Sequence, residues 1–183
     1  MFFINPFIYG AGADFESIAT VTVGSGGASS IEFTSIPGTY QHLQIRVVGR
    51  SSRSDTLDFA KLQINSDTGS NYRYHYLFGN GSSASAGGAS AAYIDTGYVS
   101  ASTSTAGLMG AFIIDILDYA STSKNTVTRL FGGADRNGEG YSNIYSGLWV
   151  NTDAVTALKL FPGGASTSWQ QHSTAALYGI KAP

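Results

Sequence analysis

Tyr40-Gln41-His42-Leu43-Gln44-Ile45-Arg46-Val47-Val48-Gly49-Arg50 alternates large apolar with polar side chains at a period of two. Successive side chains of a strand point to opposite faces, so this phase puts Leu43, Ile45 and Val47 on a core face. His42, Gln44, Arg46 and Val48 lie on the other face. Leu62 and Ile64 repeat the device against Lys61 and Gln63, and the polar stretch from Ser51 to Asp58 reads as the loop between the two strands.

The same period extends outward along the chain. Tyr72, Tyr74, Tyr76 and Phe78 share one face of a run whose other face carries Arg73, His75 and Leu77. Val127, Arg129 and Phe131 oppose Thr126, Thr128, Leu130 and Gly132, and Ile144, Ser146, Leu148 and Val150 oppose Tyr145, Gly147 and Trp149. Asn137-Gly138 between those two runs is a strong hairpin turn. Asp14 to Val23 alternates as well, and Gly24-Ser25-Gly26-Gly27 predicts a hairpin into Ser30 to Thr34. The apolar run Leu108 to Leu117 suits a fully buried strand in mid-sheet. From Gly79 to Gly107 the chain is mostly Gly, Ser, Ala and Thr, which predicts long surface loops around one short strand between Ala92 and Val99. Ala157 to Phe161 and Ser173 to Ile180 supply the last two strands. About ten strands with turns between them predict an all-β fold, an antiparallel two-sheet sandwich of jelly-roll type.

Composition agrees with that class. Only 12% of the 183 residues are charged, Gly numbers 23 and aromatics reach 13%, which favours strands and turns over helices. The length fits one domain over residues 14–183, preceded by an arm over residues 1–13. That arm concentrates Phe2, Phe3, Ile4, Phe7, Ile8 and Tyr9, while Pro6, Gly10 and Gly12 break any long regular element. Such an apolar segment is a candidate partner-binding element, expected to bury on a neighbouring subunit in preference to its own domain.

Several function classes lose support at this stage. A net charge of −2 gives no basic surplus for a phosphate backbone, so nucleic acid is not an expected partner. Arg46, Arg50 and Arg53 read as a solvated strand end beside Asp55 and Asp58. No apolar run has the length of a membrane helix, and the first residues lack the basic region of a secretory signal. The absence of cysteine removes disulfides, thiolate metal sites and a Cys nucleophile. His42, His75 and His172 stand apart from one another, and Asp115 and Asp118, three residues apart on a strand, face opposite sides. Residues 65–71 are rich in oxygen donors, but turn chemistry accounts for them without calcium. No catalytic, cofactor-binding or metal residue is expected, and the chain reads as non-enzymatic.

Three phrases and the C-terminal ending carry a resemblance. Phe33-Thr34-Ser35-Ile36-Pro37-Gly38-Thr39-Tyr40-Gln41-His42-Leu43-Gln44-Ile45, Asn65 to Tyr72, Ile114 to Ala120, and Leu177-Tyr178-Gly179-Ile180-Lys181 resemble a widespread group of tailed-bacteriophage virion proteins. The likeness covers most of the chain. It implies a virion component with a jelly-roll-like fold and frequent trimeric assembly, whose partners are further copies of itself and the major capsid protein, or tail or neck proteins, of the same particle. The apolar arm suits a capsid decoration or cement protein, with a tail or neck fibre as the alternative. A sugar-binding sandwich remains a different class. Its aromatic platform would draw on Tyr72, Tyr74, Tyr76, Trp149 or Trp169, provided that these rings are exposed.

Overall fold

The alternation around Leu43 becomes a strand at the centre of a large sheet. The computed structural model describes residues 14–136 and 138–181; the candidate residues Phe2, Phe3, Ile4, Phe7, Ile8 and Tyr9, and Asn137 of the expected Asn-Gly turn, lie outside them. In chain order the described strands are β1 (Phe15–Thr22), β2 (Ile31–Phe33), β3 (His42–Gly49), β4 (Leu57–Ile64), β5 (Tyr72–Gly79) and β6 (Ala84–Ala91). They continue with β7 (Ile94–Ser100), β8 (Gly110–Leu117), β9 (Thr126–Asp135), β10 (Gly140–Trp149), β11 (Leu158–Pro162) and β12 (Thr174–Ile180). Eight of them form one antiparallel sheet in the order β1-β12-β3-β8-β9-β10-β5-β6, and β2-β11-β4-β7 form the second.

The two sheets close on one apolar core. Leu43, Ile45 and Val47 of β3, Phe112, Ile114 and Ile116 of β8, and Leu177 of β12 are buried from the large sheet. Ile31 and Phe33 of β2, Leu62 and Ile64 of β4, and Leu158 and Leu160 of β11 meet them from the small one. The all-β, two-sheet antiparallel sandwich expected from the alternation is therefore the fold, with twelve described strands where about ten were expected.

Four local expectations are corrected. The glycine turn after β1 does not make a hairpin: β1 pairs with β12 at the edge of the large sheet, whereas β2 pairs with β11 in the small one. The turn, closed by Gly27 N donating to Gly24 O at 3.1 Å, carries the chain from one layer to the other. The stretch 79–107 is not mainly loop, because Ala84–Ala91 pairs residue by residue with β5 as the large sheet's edge. Its Ala, Ser and Gly have too little size contrast to display a period. The strand β8 does lie in mid-sheet, but Ile113 on its far face is exposed, so the continuous apolar run means two apolar faces of which one is uncovered.

The fourth correction concerns Arg50, which is not solvated as exposed Arg46 and partly exposed Arg53 are. Arg50 is buried and donates to the carbonyls of Thr105 (2.8 Å), Leu108 (3.0 Å), Ser102 (3.1 Å) and Ser104 (2.6 Å), shaping the loop that leads into β8. Arg53 pairs with Asp55 and Asp58, and Arg46 stacks over Phe15 and Tyr178.

Candidate interaction surface

The polar residues singled out by chemistry are dispersed or occupied. His42 stands at the start of β3, where its Nδ1 accepts from Asp118 N at 2.9 Å; His75 is exposed on β5, and His172 precedes β12. Asp115 faces outward and accepts from Gln44 Nε2 at 2.9 Å. Asp118 ends β8 in the left-handed region, φ 47°, and its carboxylate accepts from Gln41 and Lys124. Those two hydrogen bonds, Lys124 first, hold its carboxyl below the usual carboxylate range. No cluster of three metal-ligating side chains is present among the described residues.

The oxygen-rich turn 65–71 is a piece of architecture. Asp67 accepts from Trp149 Nε1 (2.7 Å), Asn71 Nδ2 (3.0 Å) and Gly69 N (2.8 Å), and these donors lower its pKa. Asn65, itself at φ 51°, accepts from Thr156 N and Ala157 N and donates to Ala154 O. With their oxygens turned onto protein donors, Asp67 and Asn65 tie the β4–β5 turn to β10 and to the approach to β11.

The aromatic residues named for sugar stacking are largely enclosed. Tyr72, Trp149 and Trp169 are fully buried, Tyr74 is buried and Tyr76 is half-buried. Their polar tips bond inward: Tyr72 Oη donates to Asp67 O at 2.9 Å, Trp149 Nε1 to Asp67, and Trp169 Nε1 to Leu160 O at 3.1 Å. Burial raises the Tyr72 and Tyr74 phenols to about 12, so both stay neutral. A flat sugar-stacking platform is not what these rings make.

One acid stands out between the sheets. Asp95 on β7 has a sealed carboxylate oxygen, Oδ1, with no hydrogen-bond partner, and burial pushes its pKa up to about 7. Lys61, its register partner on β4, and the backbone N–H groups of Thr96 and Gly97 oppose that rise, while Asp58 adds to it. Desolvation is the largest of these influences because the residue lies under β5 and β10, beside Tyr74 and Tyr145.

A row of exposed apolar side chains lies on the outer face of the large sheet. Leu77 (52% exposed), Ile144 (55%), Phe131 (62%) and Ile113 (39%) occupy four adjacent strands. They are direct register partners: Leu77 lies opposite Ile144, Ile144 opposite Phe131, and Phe131 opposite Ile113. Cross-strand partners stand about 5 Å apart, so the four side chains form one continuous apolar ridge about 14 Å long. Two residues along each strand the row is small instead, Gly79, Ser142, Gly133 and Ala111, and Val48 closes its β3 end with 47% of its surface exposed. The small row and the Phe131–Ile113 end of the ridge line an open groove of about 900 Å³, bordered by Met109, Arg46 and the turn at Glu139, and Ile144 and Leu77 continue the ridge beyond it.

Sequence reasoning placed each of these four residues on or near the right strand but did not bring them together. Alternation gives the face of Leu77, Phe131 and Ile144 on their own strands; the register between strands, which makes neighbours of residues 77, 113, 131 and 144, is a product of the fold. The available signal was that large apolar residues occupy the outward phase of several strands. No family model matches the chain, and no match is found among curated proteins or solved structures.

Proposed function

We infer that this chain is a non-enzymatic structural protein of a tailed-bacteriophage virion, most readily a capsid decoration or cement protein that binds the particle surface and stabilises it. The observation that carries the assembly part is the ridge Leu77–Ile144–Phe131–Ile113, since large contiguous apolar surface on a folded domain marks an interface. The phage part rests on the sequence phrases around Pro37, Asp67, Asp118 and Tyr178, which resemble virion proteins with jelly-roll-like folds and frequent trimeric assembly. Supporting a structural role, the histidines are dispersed, Asp67 and Asp118 are engaged by protein donors, and the candidate sugar-stacking rings are turned inward.

The test is the particle itself. Purified virions are expected to contain the chain in many copies, and an image of the whole particle should show a two-sheet sandwich at the shell. Density on the tail or neck would move the assignment to a fibre component. Absence of the chain from washed particles would sink the virion reading.

A further inference from the structure

We propose that residues 2–9 of one copy lie in the groove on the outer face of the large sheet of a second copy, with Phe2, Phe3, Ile4, Phe7, Ile8 and Tyr9 packed along the ridge of Leu77, Ile144, Phe131 and Ile113. The proposal goes beyond the virion reading and is tested on purified protein alone, so either can fail while the other stands.

The groove and the segment match in chemistry. The ridge is apolar, and its flanking row of Gly79, Ser142, Gly133 and Ala111 leaves space for side chains entering from outside. Residues 1–13 carry no charged side chain and the densest run of large apolar residues outside the core strands. Charge would be stranded on this ridge, whereas Phe and Ile gain by leaving water for it.

Reach decides between the chain's own groove and a neighbour's. The described chain starts at Asp14, whose O accepts from Lys181 N at 2.9 Å at the β1 edge of the sheet. Ile113 is three strands away in the sheet order, and its partner Arg46 lies four residues along β3 from His42, which is level with Phe15 through Ile180. With strands about 4.8 Å apart and a rise of about 3.3 Å per residue, Asp14 is about 22 Å from Ile113 and about 33 Å from Leu77. Tyr9 and Ile8 reach at most about 18 and 22 Å from Asp14 when fully extended. On its own chain Tyr9 falls short of the ridge and Ile8 meets only its Ile113 end, so only part of the apolar segment could use it.

Nor is there an equivalent seat close to Asp14. The apolar outer-face residues at that corner, Phe15, Tyr178 and Ile180, are all half-buried, and the two rings pack on one another at 4.9 Å. The Arg46 guanidinium, 5.0 and 5.2 Å from the two rings, lies over them. A neighbouring copy removes the restriction, because its groove can take the whole segment from Phe2 to Tyr9.

The chain lacks cysteine, so engineered thiols report without background. Full-length Phe3→Cys and Phe131→Cys chains are mixed in equal amounts, oxidised mildly and analysed by mass, with Thr152→Cys, exposed and away from the sheet's outer face, replacing Phe131→Cys as the control. The expected result is a mixed disulfide between residues 3 and 131 of different chains, formed about tenfold faster than with the control because docking raises the effective concentration. Yield no greater than the control overturns the proposal. So does a doubly substituted chain that closes only within itself, which would show the segment on its own sheet. As a second measurement, full-length Phe131→Ser/Ile144→Ser is expected to keep the wild-type circular dichroism and to lose its assembled mass; unchanged assembly would count against the groove.

Discussion

Asp95 offers the sharpest single-residue test of the sandwich. Its folded-state pKa is raised to about 7 by burial, against an ordinary carboxyl value near 3.8. Between about pH 4 and pH 7 the unfolded chain has released this proton while the folded chain keeps it, so stability falls as pH rises through that window and is level above it. The loss is at most about 4 kcal/mol, and Lys61 opposite it tempers the effect. Urea titrations at a series of pH values are expected to show this decline in the wild type and a flatter profile in Asp95→Asn. A wild-type profile as flat as the variant's would mean that water or Lys61 compensates the charge fully. The residue's position was legible only as a polar interruption between Tyr93-Ile94 and Tyr98-Val99; its enclosure needs β5 and β10 laid over it. Arg50 shows the same limit, since a sequence rich in nearby Ser, Asp and Arg reads as solvated, and only the fold brings four carbonyls onto its guanidinium.

At the scale of elements, two contacts set how loops and layers meet. Arg50 holds the loop from Ser102 to Leu108 by carbonyls that lose a charged donor if it is removed. Arg50→Met is expected to cost about 3 kcal/mol and to speed amide exchange at Ala101 and Ser104, as read by the urea midpoint and by exchange mass spectrometry. Gly147 of β10 packs against β7: a Cβ there would meet Thr128 Oγ1 and would stand 2.7 Å from Ile94 Cγ2. Gly147→Ala therefore overpacks the layer contact and is expected to destabilise by about 1–3 kcal/mol, whereas Gly26→Ala, with nothing within 4 Å of its new Cβ, should be close to neutral. Equal melting temperatures for the two variants would mean that β7 can retreat from β10. The strands with strong size contrast, β3, β4, β5, β9, β10 and β12, were legible from period two. The strand β6 was not, because a run of Ala, Ser and Gly reads the same in a strand as in a loop.

For the whole molecule, the expected solution state is an assembly of copies. Purified protein should have three times the 19.2 kDa mass of the chain at micromolar concentration, measured by light scattering, and a stable single-chain species would remove the trimer expectation. The amino-acid sequence by itself determined the class of fold, the two faces of most strands and the inner face of β3 and β4, because alternation is a local property. It also concentrated six large apolar side chains and no charged one in the first thirteen residues. Tertiary structure decided what local pattern cannot encode. It split β1 and β2 between layers, turned Trp149 and Tyr72 onto Asp67, and set the register that makes Leu77, Ile144, Phe131 and Ile113 neighbours. Those four lie in separate stretches of the chain, and only hydrogen bonding between strands lines their side chains up as a surface.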